Sequence, residues 1–229
     1  MNYNPDKYGN NISRLGFGCM RLPQTMGIIN VKESEKQIME AYKQGVNYFD
    51  TAYIYPGSEA ALGQIVEKNG IRENIYISTK FPHYLIRSVE ALEKTFNEQL
   101  KRLRTDYIDV YLVHMLTDIS TWHKLVSMGV LDWLEQKKTE GKIKQIGFSY
   151  HGNSNMFCQL IDAYNWDTCI VQYNYMDEHT QAGKAGVKHA SSKGVSVVIM
   201  EPLRGGKLVN SLPAEAKKIF ANYPKNYTK

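Results

Sequence analysis

With 229 residues, 43% hydrophobic and 22% charged, the chain is long enough to bury a sizeable core and too apolar to remain disordered. The net charge of +5 comes from Lys and Arg spread along the sequence rather than gathered in blocks. That argues against a nucleic-acid footprint and leaves room for a phosphate-bearing small molecule.

Taken in chain order, short apolar, β-branched or aromatic runs recur at 15–19 (LGFGC), 46–49 (VNYF), 75–79 (IYIST) and 107–113 (YIDVYLV). They continue at 143–149 (IKQIGFS), 169–173 (CIVQY) and 195–200 (VSVVIM). Between them lie segments of helical period. Val89, Leu92, Phe96, Leu100 and Leu103 recur every three or four residues in 88–104, and Leu125, Met128, Leu131 and Leu134 do so in 124–140. Asn30 with Glu33 resembles a capping box opening the first helix, and Gly45, Gly141 and Gly194 fall where helices should end. Strict alternation of strands and helices predicts a parallel sheet, either a β/α barrel or an open doubly wound sheet.

Two observations favour the barrel. No G-x-G-x-x-G follows the first strand, as a dinucleotide-binding open sheet would normally show. Polar groups instead follow many different strands: Asp50, Lys80, His114, Ser149, Gln172 and Glu201. In a closed barrel all of these ends meet at one mouth. The expected architecture is thus α/β, a TIM-type (β/α)8 barrel forming one domain over residues 1–229. It reads as incomplete at its C-terminal end, with exposed edges on the first and seventh strands.

A lysine and an aspartate at neighbouring strand ends are costly unless paired, and here they can pair. Tyr55 follows Asp50 on the same loop, and a charged Lys80 would stabilise its phenolate and pull its pKa toward neutrality, making it a proton donor. His114 is placed to hydrogen-bond and polarise a substrate oxygen. Each residue also has a plain reading. Asp50 can cap a loop, Tyr55 is one of 16 tyrosines, Lys80 can lie along the rim, and His114 can be a hydrogen-bonded core histidine.

Asp50, Tyr55, Lys80 and His114, in this order on these strands, resemble the catalytic tetrad of the aldo-keto reductase superfamily. The segments LGFGCMRLP (15–23), FDTAYIYPGSE (49–59), IGFS (146–149), VQYNYMD (171–177) and MEPLRGGKL (200–208) are similar to the family's motifs as well. The last two look like a bacterial branch whose longer members often carry a ferredoxin-like iron–sulfur tail; no cysteine cluster for one is present. The resemblance implies an oxidoreductase that reduces aldehydes or ketones to alcohols, with Tyr55 as general acid, Lys80 and Asp50 tuning it, and His114 orienting the substrate. It implies NADPH as cofactor, with NADH as the alternative. Ser149 and Gln172 would hold the nicotinamide carboxamide, Met20 and Asp50 would contact the cofactor, and Met200 would lie against the nicotinamide. Glu201, Pro202, Leu203 and Gly205 would lie along the ribose and pyrophosphate. Met200 departs from the aromatic residue many members have there, and Tyr150 stands where better-known members have Asn. The family's eighth strand and C-terminal loop are not recognisable.

Two rival functions remain open beside the reductase: a nicotinamide-nucleotide sensor or regulatory subunit with little turnover, and an inactive truncated remnant. The segment 115–124 is either a substrate loop using Met115 and Trp122 or a plain connection. His151 and Cys158 lack the companions a metal site needs, so no metal is expected. The expected partner is a small carbonyl compound, with neither nucleic acid nor membrane; oligomeric state is unread. Cys19, Cys158 and Cys169 form no C-x-x-C pair, and the polar N-terminus does not resemble a secretory signal, so a reducing cytoplasm is expected.

Overall fold

The computed structural model describes residues 1–222. Among them the main sheet has seven strands: β1 (Phe17–Gly18), β2 (Tyr48–Asp50), β3 (Tyr76–Phe81), β4 (Ile108–Val113), β5 (Ile143–Tyr150), β6 (Thr168–Gln172) and β7 (Ser196–Met200). They pair in chain order and all in parallel, so β1 and β7 are the edges among the described residues.

The crossovers are α1 (Val31–Lys43), α2 (Ser58–Asn69), α3 (Val89–Leu103), α4 (Ile119–Ser127), α5 (Val130–Thr139), α6 (Ser154–Asp162) and α7 (Gly183–Ser192). Right-handed crossovers between consecutive strands put every helix on one face of the sheet. The other face must then be covered by the sheet itself. Tyr48, Val110, Leu112 and Ile170, from the alternate strands β2, β4 and β6, form one buried cluster, which requires the sheet to curl inward. No switch in strand order occurs among the described residues, which excludes the doubly wound alternative for them. After β7 the described residues form two short α-helices, α8 (Lys207–Asn210) and α9 (Ala214–Ala221). No helix among the described residues is long and apolar enough to cross a membrane.

Local sequence explains the element ends. Asn30 Oδ1 accepts from the Glu33 backbone N–H at 3.1 Å, the first half of the expected capping box. Gly45, Gly141 and Gly194 adopt φ of +92°, +74° and +74°, the left-handed geometry expected after a helix. The predicted helix over 124–140 is two helices. Gly129 at φ +88° separates α4 from α5, so helical period ran on across a break that a single glycine makes. Segment 115–124 is likewise not one loop. It enters α4 at Ile119, and Trp122 is buried with its ring 4.6 Å from that of Trp166, so this tryptophan belongs to the outer core. Of the cysteines, Cys19 and Cys169 are core residues and Cys158 is half-buried.

The polar N-terminus, ahead of the first predicted strand, closes the floor of the barrel. Tyr3–Pro5 pairs antiparallel with Asn11–Ser13, and Ile12 packs against the inner cluster. The turn between them is tied to the bottoms of β5 and β6: Gln145 donates to Asp6, Lys7 Nζ donates to the Trp166 carbonyl at 3.0 Å, and Tyr8 donates to Asp167.

Helices α2 and α3 meet where Gly63 lies against the end of α3. A Cβ at position 63 would fall 2.4 Å from the Arg102 carbonyl oxygen and 2.5 Å from the Leu103 carbonyl carbon. Helix propensity alone favours alanine there by about 1 kcal/mol, but a clash with backbone reverses the sign. Gly63→Ala is expected to destabilise the fold by roughly 1–3 kcal/mol, read as a lower urea midpoint at unchanged slope.

Candidate active site

The C-terminal ends of β2, β3 and β4 bring three groups together. Asp50 is the last residue of β2, Lys80 the penultimate residue of β3, and His114 follows β4 with its backbone N–H donating to the Phe81 carbonyl at 3.0 Å. Lys80 Nζ donates to Asp50 Oδ2 at 2.6 Å and to the Thr51 carbonyl at 2.7 Å. The lysine side chain is 3% exposed and the aspartate 23%, so the pair sits at the edge of the interior. Removing two charges from water costs several kcal/mol per ion, and a partner at this distance offsets that cost.

Tyr55 stands over this pair. Its ring centroid lies 5.2 Å from Lys80 Nζ and 5.9 Å from the His114 ring, which it meets edge-on. The tetrad read from sequence is therefore one cluster. The expected direction of the Tyr55 pKa is not what the structure gives. Burial raises it above the ordinary phenol value; Lys80 pulls it down but does not overcome burial, and Asp50 adds to the rise. Tyr55 is thus held firmly protonated. The His114 pKa is pushed down to about 3, first by burial and then by Lys80 and by His151 and His83. Its ring is neutral and can donate from one nitrogen.

The other side of the mouth is built from β5, β6 and β7. Ser149 Oγ accepts from the Met115 backbone N–H at 2.8 Å, which leaves its own O–H to donate. Gln172 is buried at the end of β6, with Nε2 3.4 Å from Asp177 Oδ2. Met200 packs against the inner cluster. Tyr150 does not turn to the mouth: it packs edge-on to Phe148 and tilted against Phe157, and its hydroxyl donates to the Asn153 carbonyl at 2.6 Å. Met20 and Leu203 are exposed, as are Glu201, Pro202 and Gly205. Glu201 and Arg204 adopt positive φ of 55° and 49°, unusual for residues with a side chain, and Gly205 follows at 65°. Glycine there lets an anion approach the backbone closely.

Sequence reasoning missed the contacts that shape and join the loops of this rim. Asn174 donates to Asp177 at 2.7 Å and accepts the Met176 and Asp177 backbone N–H groups, shaping the loop after β6. Arg204 reaches Asp177 at 3.5 Å, joining that loop to the one after β7. The Asn-x-x-Asp spacing is the signal that could have revealed the first; the Arg204 contact bridges two loops and leaves no local trace. Four buried side-chain atoms find no hydrogen-bond partner among the described residues, and two of them, Asp50 Oδ1 and His114 Nδ1, belong to this cluster; such an atom costs about 1–3 kcal/mol unless another group supplies a partner. A surface depression between α1 and α2 and another beside Tyr107 and Lys144 lie away from these groups.

A parallel barrel-like sheet whose strand ends gather a Tyr, a paired Lys and Asp, and a neutral His defines a class of barrel protein with acid–base equipment at its mouth. The sequence profile of the aldo/keto reductase family matches residues 14–228, and the chain belongs to that family. It is 28% identical over 215 residues to an L-galactose dehydrogenase of Arabidopsis thaliana, covering 90% of this chain and 66% of that protein. It is 27% identical over 219 residues to an NADP(+) aldo-keto reductase of Schizosaccharomyces pombe, covering 90% of this chain and 62% of that one. The chain thus spans just under two thirds of the length of these relatives. The structure of an aldo-keto reductase from Bacillus halodurans, in its holo form, superposes with a TM-score of 0.79 at 24% identity, over all of this chain and 78% of that one.

The low His114 pKa has a consequence for stability. The unfolded chain takes up this proton near the ordinary value of 6.5, whereas the folded chain does so only at about 3. Between those values the unfolded state binds more protons, so stability falls as pH drops through that window. His114→Gln is expected to flatten this acid limb, measured as urea midpoints of both proteins against pH.

Proposed function

We propose that the site reduces an aldehyde or ketone to the alcohol with NADPH, NADH being the alternative donor, and that Tyr55 is the proton donor. The observation that carries this reading is the gathering of Tyr55, Lys80, Asp50 and His114 at one mouth, with the Lys80–Asp50 pair at 2.6 Å and Tyr55 above it. Family membership and the NADP(+) in the name of the fission-yeast relative support the choice of cofactor.

The residues suit such a cofactor. Ser149 keeps a free hydroxyl proton and Gln172 an amide, which fits them to hold a carboxamide. Asp50 Oδ1 is a buried acceptor in need of a donor, and the Arg204-Gly205-Gly206 turn and Arg21 provide cations and bare backbone for phosphates. When bound, the nicotinamide supplies hydride to the carbonyl carbon. Tyr55 gives its phenolic proton to the carbonyl oxygen as negative charge builds there. Lys80 stabilises the phenolate left behind, and Asp50 holds Lys80 in place. Neutral His114 donates a hydrogen bond to the same oxygen and aims it at Tyr55.

The test is a titration with NADPH followed by intrinsic fluorescence, then addition of a reactive aromatic aldehyde. Saturable binding and turnover are expected, with Tyr55→Phe lowering kcat by roughly 100-fold or more while leaving NADPH binding unchanged. Binding without turnover would instead favour a cofactor sensor, and no binding by folded protein would reject the cofactor reading.

A further inference from the structure

Behind the tetrad lies a buried polar network that the mechanism above does not use. Glu59, in the first turn of α2, is 1% exposed and accepts three hydrogen bonds. Its Oε1 accepts from the Thr79 hydroxyl at 2.6 Å and from Gln99 Nε2 at 2.7 Å, and its Oε2 accepts from Arg102 Nη1 at 3.2 Å. Two of the three donors have a second contact that leads to the active site, and the third, Thr79, precedes Lys80 in the chain. Gln99 Nε2 also reaches the Lys80 carbonyl at 3.2 Å, and its Oε1 accepts from Tyr111 at 2.8 Å, which fixes the orientation of the amide. Arg102 Nη1 also donates to the Tyr53 carbonyl at 3.3 Å, and the guanidinium lies 4.4 Å from the Tyr53 ring centroid. The Tyr53 backbone N–H donates to the Lys80 carbonyl at 3.1 Å, closing the circuit.

We propose that Glu59 is a positioning residue for the reaction: its single carboxylate ties the Arg102 clamp on the Tyr55 loop to the Thr79–Gln99 hold on the Lys80 strand end. The inference rests on the reductase reading for its effect on rate, but not for its effect on Tyr55 itself. Tyr53 is two residues before Tyr55, and Thr79 adjoins Lys80. The two anchors are therefore close enough along the chain to set the separation of phenol and ammonium. A buried carboxylate is costly to keep ionised without such donors, and three converge on this one. Placement errors of about 1 Å at a reacting group can cost on the order of 100-fold in rate.

The test compares wild type, Glu59→Gln and Arg102→Lys. Glu59→Gln keeps volume and an acceptor for Thr79 but removes the buried one of the two carboxylates that hold Arg102, the other being the more exposed Glu98. Arg102→Lys keeps a cation beside the buried Glu59 carboxylate, so no buried charge is stranded, while losing the planar guanidinium that lies against the Tyr53 ring. Two readouts are taken: kcat and KM for aldehyde reduction, and the Tyr55 phenol titration. The titration is obtained by ultraviolet difference spectra between each protein and its Tyr55→Phe counterpart. Expected is a kcat roughly 10- to 100-fold lower, unchanged NADPH affinity, and a displaced Tyr55 titration in each folded variant. Folded variants with wild-type kcat and wild-type Tyr55 titration overturn the proposal. Variants that only melt earlier, with the Tyr55 titration unmoved, reduce Glu59 to a structural role and overturn it as well. Should wild type bind NADPH without turnover, the reductase reading fails and the titration alone decides the role of Glu59.

Discussion

The arrangement of the site depends on one buried ion pair. Lys80 points into the barrel from β3 and finds Asp50 on the neighbouring strand and the Thr51 carbonyl beside it. Removing one partner would strand the other, at a typical cost of about 3–5 kcal/mol, so the two strand ends and the loop after β2 are bound to each other. That loop carries Tyr55. Burial is the main reason that the His114 pKa is low and its imidazole neutral, and the same ammonium pushes in that direction too. One charge therefore fixes a loop and a phenol and adds to the bias on a protonation state.

The two ends of the sheet divide the work. At the floor, Asp167 gathers Lys7, Tyr8 and Lys138 and accepts the Ile146 backbone N–H at 2.8 Å. Those groups are mutually satisfied and hold the N-terminal hairpin under the barrel. At the mouth, by contrast, Asp50 Oδ1 and His114 Nδ1 lack protein partners, and Glu201 and Arg204 hold positive φ. Unsatisfied polar atoms and backbone strain are destabilising; Tyr48 and Ser78 deeper in the barrel also carry an unpartnered hydroxyl, but at the mouth such atoms lie beside strained backbone and acid–base groups, as suits a site built for another molecule.

Much of this was legible in the sequence because it is local. β-Branched runs and helix-ending glycines located the seven strands within a few residues, and strand-end polarity pointed to Asp50, Lys80 and His114. What escaped was long-range or depended on burial. Gly129 breaks a helix whose apolar period continues through it. Trp122 was open to a substrate role or a plain connecting one because sequence does not show which way a ring turns, and it is packed into the outer core. The Glu59 network joins residues 20 to 43 positions apart by single hydrogen bonds, which leave no periodic trace. The expected fall in the Tyr55 pKa failed for a related reason: the neighbouring charge was visible in the sequence, but the burial that outweighs it was not.

That correction sharpens the chemistry. Before reaction, Tyr55 is protonated, His114 is neutral, and Lys80 is matched by Asp50, so the cluster carries no net charge to repel or bind a neutral carbonyl compound. A phenol with a raised pKa is a reluctant acid toward water and does not lose its proton idly. Under the reductase reading, its reluctance ends only as the carbonyl oxygen gains negative charge, when Lys80 begins to stabilise a phenolate and the His114 N–H meets an oxyanion rather than a carbonyl. Both interactions are stronger in the transition state than in the ground state, and only such interactions accelerate the step. The ammonium is already aimed and desolvated, because Asp50 and the Thr51 carbonyl hold it there, so little reorganisation is needed when that charge appears.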